Sequence, residues 1–283
     1  MEALSPLQCD ADLVQDFQLI RTVAREAGEL ARRYFREPCE AWEKSPGNPV
    51  SEADLAVDAL IKERLRSVRP QYGWLSEETM DAPARLDCRR VWVVDPIDGT
   101  KAFLAGADGF AVSIALVEDG RPILACLYAP LRNLFFSAAK GEGATLNGMA
   151  IHVARSDRLE GCRMLADREL FASDFWPNPW PLMKLDKPNS IALRLGLVAA
   201  GMADAAVALR PKSEWDLAAA LLVLQEAGGV CTDHLGEHPR FNRPTPVYPT
   251  VIAASAELYP QVLARVAAGV ACWQTRTGQK TIP

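Results

Sequence analysis

The chain is 283 residues long, which at roughly 150 residues per domain means two small domains or one large layered unit. Its 36 acidic against 31 basic residues leave a net charge of −5, the wrong sign for a protein that lives on a nucleic-acid backbone, and 49% hydrophobic with 24% charged residues excludes a disordered chain. No apolar run approaches the roughly 20 residues that a membrane crossing needs, the amino terminus lacks the pattern of a secretion signal, and the seven cysteines never form a Cys-x-x-Cys pair, so the expectation is a cytoplasmic protein with reduced thiols.

Asp10 or Asp12 can cap a first helix reaching Arg36, with Leu13, Phe17, Ile20, Ala24, Ala27 and Ala31 at helical spacing and Pro38 as its stop. Residues 45–49, Ser-Pro-Gly-Asn-Pro, read as a loop, and Ser51 opens a second helix over 51–68. The middle of the chain turns to strands at 72–76, 90–94, 110–118, 121–128 and 134–139, with Asp119-Gly120 as a tight hairpin turn. Alternation then returns: strand 164–167, helix 190–200, strand 205–209, helix 216–227, strands 230–232 and 251–254, and a last helix over 257–268. Residues 171–188, rich in proline and tryptophan, read as an irregular loop between two halves, 1–155 and 156–283, that together form one compact catalytic unit. Antiparallel strands in one half and alternating elements in the other predict an α+β layered sandwich.

Three groups of acids stand at the ends of apolar segments: Ser76-Glu77-Glu78, Asp95-Pro96-Ile97-Asp98-Gly99-Thr100, and Ser213-Glu214-Trp215-Asp216. Two aspartates three residues apart at a strand end repel each other unless a hard cation neutralises them, and carboxylate oxygens suit Mg²⁺ or Mn²⁺. The Ile97 carbonyl can face the same space. Gly99 and Thr100 open a short helix whose free N–H groups form a cradle for phosphate. Acids for a metal beside such a cradle point to metal-assisted phosphoryl chemistry.

The string Asp95-Pro96-Ile97-Asp98-Gly99-Thr100, with Trp215-Asp216-x-Ala218-Ala219 and Glu226-Ala227-Gly228-Gly229 downstream, resembles the inositol monophosphatase superfamily of Mg²⁺-dependent, lithium-sensitive phosphatases. The resemblance implies a five-layer α-β-α-β-α sandwich. It implies a first metal held by Glu77, Asp95 and the Ile97 carbonyl, a second held by Asp95, Asp98 and Asp216, and in many members a third near Glu77. Asp54 would pair with Thr100 to orient the attacking water, and the Gly99 and Thr100 amides would hold phosphate oxygens. The implied reaction is in-line attack by a metal-activated water on a small phosphate monoester, in a family that commonly dimerises, with no nucleic-acid polymer or membrane as partner.

Within that superfamily Asp98-Gly99-Thr100-Lys101, Leu127-Tyr128-Ala129-Pro130 and Ser190-x-x-x-Arg194 resemble the 3'(2'),5'-bisphosphate nucleotidases, and Arg194 and Lys101 could meet a second phosphate. The resemblance to inositol phosphatases would place a sugar-binding acid seven residues before Asp216, where this chain has Leu209. Inositol monophosphate or another small sugar phosphate stays the first alternative, and a non-catalytic phosphate-binding regulator the second. Asp54 could equally cap its helix, Glu78 could be structural, and Lys44 could neutralise the site or lie on the surface. Cys231-x-x-His234-x-x-x-His238 has the spacing of half a zinc site but no second cysteine pair, and Trp176 and Trp180 read as core or loop packing, with flanking the site or stacking an adenine as the alternative.

Overall fold

The computed structural model describes residues 7, 10–37, 39–172 and 175–277. Helix α1 (Ala11–Arg36) is capped by Asp10, whose carboxylate accepts the Asp12 backbone N–H at 2.9 Å; the expected stop at Pro38 lies outside the described residues. The stretch read as a loop over 45–49 is the tip of a hairpin: residues 46–47 make the turn between the exposed β1 (Ala41–Ser45) and β2 (Asn48–Ser51), whose last two residues are buried. Pro49 is tolerated there because the hairpin is all edge. Helix α2 (Glu52–Val68) begins with a capping box in which Ser51 and Asp54 satisfy each other's ends.

Strands β3 (Gly73–Ser76) and β4 (Arg90–Asp98), short helix α3 (Thr100–Leu104), and strands β5 (Ala111–Glu118), β6 (Arg121–Ala129), β7 (Leu134–Ala139), β8 (Ala144–Leu146) and β9 (Met149–Ala150) follow. The strands form a seven-stranded sheet in chain order, parallel between β3 and β4 and antiparallel elsewhere. Period-two alternation divides its two faces. Trp92 and Val94 join the core beneath α1 and α2, whereas Val91 and Val93 join the core on the opposite side.

The remaining chain forms β10 (Arg163–Leu165), α4 (Arg168–Ala172), β11 (Lys184–Asp186), α5 (Ile191–Ala199), β12 (Ala205–Ala208), β13 (Lys212–Ser213), α6 (Glu214–Glu226), β14 (Gly229–Thr232), β15 (Val247–Tyr248), β16 (Val251–Ser255) and α7 (Tyr259–Thr277). A second sheet has the order β11-β10-β12-β16-β14. The segment 171–188, expected to be irregular, thus contributes an edge strand to it. Ala206, Ala208 and Ala253 face α5 and α6, while Ala205, Val207, Ile252 and Ala254 face α7. The layers are therefore α1/α2, first sheet, α5/α6, second sheet and α7: the five-layer α-β-α-β-α sandwich. Helices α5 and α6 are buried on nearly every face, as a central layer requires. At Gly196 a Cβ would sit 2.9 Å from Leu127 and 3.2 Å from Phe136, so only glycine lets α5 lie this close to the first sheet. Among the described residues no helix is long and apolar enough to cross a membrane.

Candidate metal-dependent active site

The carboxylates converge where β3, β4 and α6 end. Strand β4 does not stop at Val94, as its sequence suggests, but continues to Asp98 through a bulge: Asp95 faces Ser113 and Asp98 faces Ala111, so the register shifts between them. A bulge re-aims side chains at a strand end, and here it lets both acids turn inward. Gly99 then takes φ +101°, and α3 opens at Thr100. Asp216 occupies the third position of α6, where its carboxylate accepts the Ser213 N–H at 2.7 Å. Glu77 follows β3.

Glu77, Asp95 and Asp216 each offer an oxygen to one point, all within 4.8 Å of one another. Asp95 is fully buried; one oxygen accepts the Ile97 N–H at 3.0 Å, and the other, buried, has no hydrogen-bond partner. A buried carboxylate with an orphaned oxygen, grouped with two further acids, is costly unless a cation completes it. The donor set, all oxygen, fits a hard divalent ion. Burial pushes the Asp95 carboxyl well above its ordinary range, and the charges of Glu77, Asp98 and Asp216 push the same way. Asp216 is pushed up to about 7 by burial, then by Asp98. Glu77 is raised by burial against the pull of Lys44.

Asp98 stands beside this group rather than inside it. Its Oδ2 accepts the Ser190 hydroxyl at 2.5 Å and the Ala192 amide at 2.7 Å, at the start of α5. The Thr100 hydroxyl donates to Asp54 Oδ1 at 2.9 Å and lies 3.2 Å from the Ile97 carbonyl. Asp54 Oδ2 accepts both the N–H and the hydroxyl of Ser51, so the acid caps its helix and holds Thr100 at once; the two readings of Asp54 are compatible. Lys44 reaches in from the β1–β2 hairpin to Glu77 at 3.0 Å and Glu78 at 2.8 Å. Glu78 is pushed up to about 7 by burial, opposed by Lys44.

A cavity of about 620 Å³ opens over these residues. Glu77, Asp98, Gly99, Thr100, Lys101 and Asp216 line one end; Lys187, Arg194, Arg210 and Lys212, with Leu209, Asp167 and Glu169, line the rest. Arg194 is buried, and its Nε donates to the Pro188 carbonyl at 2.6 Å. Burial lowers its basicity, opposed by Asp98, Asp167 and Asp186. The sequence reading placed Arg194 and Lys101 at the site but not Lys187, Arg210 or Lys212; of these only Lys212, next to the Ser213-Glu214-Trp215-Asp216 group, carried a sequence signal. Trp176 and Trp180 pack with Phe171 and Phe175 in the core under α7, away from the cavity lining. His238 meets the Cys231 backbone carbonyl and His234 meets Thr250, so these histidines and the Cys231 thiol do not converge. Among the described residues six cysteines are free.

A five-layer sandwich that brings acids from three chain segments to one buried point, beside a short helix start, defines a layered metal-site hydrolase architecture. The chain belongs to the inositol monophosphatase family, whose sequence profile matches residues 12–271, and is thus a member of a phosphatase family that is generally metal-dependent. It is 34% identical to Nus factor SuhB of Escherichia coli K12 over 76% of this chain and 84% of that protein. It is 31% identical to a histidinol-phosphatase of Chlorobaculum parvum over 79% of this chain and 88% of the other. Among solved structures, an IMPase from Thermotoga maritima superposes with a TM-score of 0.79 at 28% identity, covering 91% of this chain and 98% of that one.

Proposed function

We propose that the chain is a Mg²⁺-dependent phosphomonoesterase whose favoured substrate is adenosine 3',5'-bisphosphate, converted to AMP and phosphate. The observation that carries the reaction type is the buried Asp95 carboxylate, one oxygen of it unpartnered, grouped with Glu77 and Asp216. Glu77, Asp95 and the Ile97 carbonyl would hold one ion, and Asp95, Asp98 and Asp216 a second, with Mn²⁺ able to substitute and a third site near Glu77. When bound, such ions supply Lewis-acid polarisation of the phosphoryl group and a nucleophilic water at neutral pH. The Thr100 hydroxyl, donating to Asp54, keeps its lone pairs free to accept a hydrogen bond from that water and orient it. The Gly99 and Thr100 amides would bind phosphate oxygens at the positive end of α3.

The basic wall of Lys101, Lys187, Arg194, Arg210 and Lys212 supports a substrate with a second anionic group, which arginine can meet bidentately. Leu209, at the place expected for a polyol-binding acid, favours the nucleotide over inositol monophosphate. The likeness to an IMPase and a histidinol-phosphatase keeps simpler monophosphates as the second substrate class. The relatives named Nus factor favour a regulatory role as the alternative of another kind. A phosphate-release panel with Mg²⁺ decides among them: adenosine 3',5'-bisphosphate, inositol 1-phosphate, fructose 1,6-bisphosphate and histidinol phosphate. The expected result is fastest release from the bisphosphate nucleotide, slowed by Li⁺ and reduced to background in Asp95→Asn. Fastest release from inositol phosphate would overturn the substrate assignment, and no release from any ester would favour the regulator.

A further inference from the structure

The ligand candidates come from distant chain segments, and a buried brace behind them ties two of those segments together. Glu214, first residue of α6 and fully buried, accepts the Asn242 N–H at 2.6 Å and the Arg243 N–H at 2.9 Å, one on each carboxylate oxygen. Arg85, also buried, lies in the 3₁₀ turn Pro83–Asp87 that follows Glu77 and Glu78. Its guanidinium donates to the Asn242 side-chain oxygen at 2.8 Å and to the Arg243 carbonyl at 2.9 Å. The Asn242 side-chain amide returns a bond to the Arg85 carbonyl at 3.1 Å. On its other side Arg85 grips Asp81 through two bonds of 2.6 and 2.9 Å. The path thus runs from the segment carrying Glu77, through Asp81, Arg85 and residues 242–243, to Glu214, two residues before Asp216.

We propose that Glu214 and Arg85 are positioning residues that set the spacing of Glu77 and Asp216, and so tune divalent-ion affinity without touching the ion. This rests on the reading of the acidic cluster as a metal site. Every donor and acceptor in the brace points at another member or at backbone, and none lines the cavity. Its product is a fixed distance between chain segments. Outer partners of this kind orient ligands, and their loss weakens metal binding by roughly 10–100-fold.

The test is Mn²⁺ titration of the full chain, followed by the electron paramagnetic resonance of free Mn²⁺, alongside the melting temperature of the metal-free protein. Two variants are compared with wild type. Glu214→Gln replaces one acceptor oxygen by an amide that opposes a backbone N–H. Asn242→Gly removes the side chain that Arg85 holds, at a residue with φ +58° where glycine is at ease. The expected result is a Kd for Mn²⁺ raised about tenfold in each, beyond any loss that follows from a lower metal-free melting temperature. A Kd within twofold of wild type in the folded variants would overturn the proposal, since a merely structural brace would lower the melting temperature and leave affinity alone. Should Glu214→Gln fail to fold, Asn242→Gly decides by the same criterion. A wild type that binds no Mn²⁺ would overturn the metal reading itself, and the brace's role with it.

Discussion

Leu209 is nearly buried on the cavity wall, a branched hydrocarbon at a place where a polyol would need an acceptor. A site that must hydrogen-bond a hydroxyl loses heavily when the partner is missing, because the substrate's polar group is desolvated without compensation. Leu209→Glu supplies that acceptor and places a negative charge near the basic wall. The ratio of kcat/KM for inositol 1-phosphate to that for adenosine 3',5'-bisphosphate should rise by at least roughly tenfold, measured with both esters on the same preparation. An unchanged ratio would remove Leu209 from the account of specificity. The neighbouring acids were more legible than the wall. Asp95, Asp98 and Asp216 could be singled out because each sits at the end of an apolar run, and their repulsion is itself a signal. Lys187 and Arg210 carry no such mark: a surface lysine and a cavity lysine look alike until the chain is folded.

The turn joining β4 to α3 concentrates the local geometry of the site into one element. Gly99 has φ +101°, and a Cβ there would meet the Gly109 carbonyl oxygen at 2.9 Å and the Ser190 amide at 3.2 Å. An L-residue in such a conformation costs about 1–3 kcal/mol, and the clash with backbone atoms leaves little room to relax. Gly99→Ala should therefore lower unfolding free energy by at least roughly that amount in urea titration, and displace Asp98 and Thr100 enough to depress phosphate release. Wild-type stability in the variant would show that the turn is softer than its geometry indicates. Elements with strong periodicity were readable from the chain: α1, with Asp10 among its two cap candidates, and strands β3 to β7 of the first sheet, though not the short β8 and β9. Short edge elements were not, because β1, β2 and β11 draw on cross-chain hydrogen bonds rather than on a hydrophobic repeat. The Arg85–Asn242 contact lies equally beyond local reading, since 157 residues separate the partners.

At the scale of the whole molecule, the sandwich buries a group of acids that repel one another, and their titration links stability to both pH and metal. Asp95, Asp98, Glu77 and Asp216 all have carboxyls raised above their ordinary range, first by burial. The folded protein therefore holds more protons than the unfolded chain over this range. Their contribution to stability is full below the ordinary carboxylate range and is lost as pH climbs through the raised values, about 7 for Asp216. A divalent ion competes for the same oxygens and needs them deprotonated. Without metal, this group should thus lower the melting temperature between pH 5.5 and 8. With Mg²⁺ or Mn²⁺ at about 100 times its Kd the gain is about 2.7 kcal/mol, or roughly 4–5 °C for a chain of this size. That metal-induced rise should be larger at pH 8 than at pH 5.5. Differential scanning calorimetry at both pH values, with and without metal, measures it directly. In Asp95→Asn the rise should shrink at pH 8 while the metal-free protein melts higher than wild type, because one of the mutually repelling charges has gone. A metal-induced rise that is equal at the two pH values would mean that the ion and the protons do not share these carboxylates.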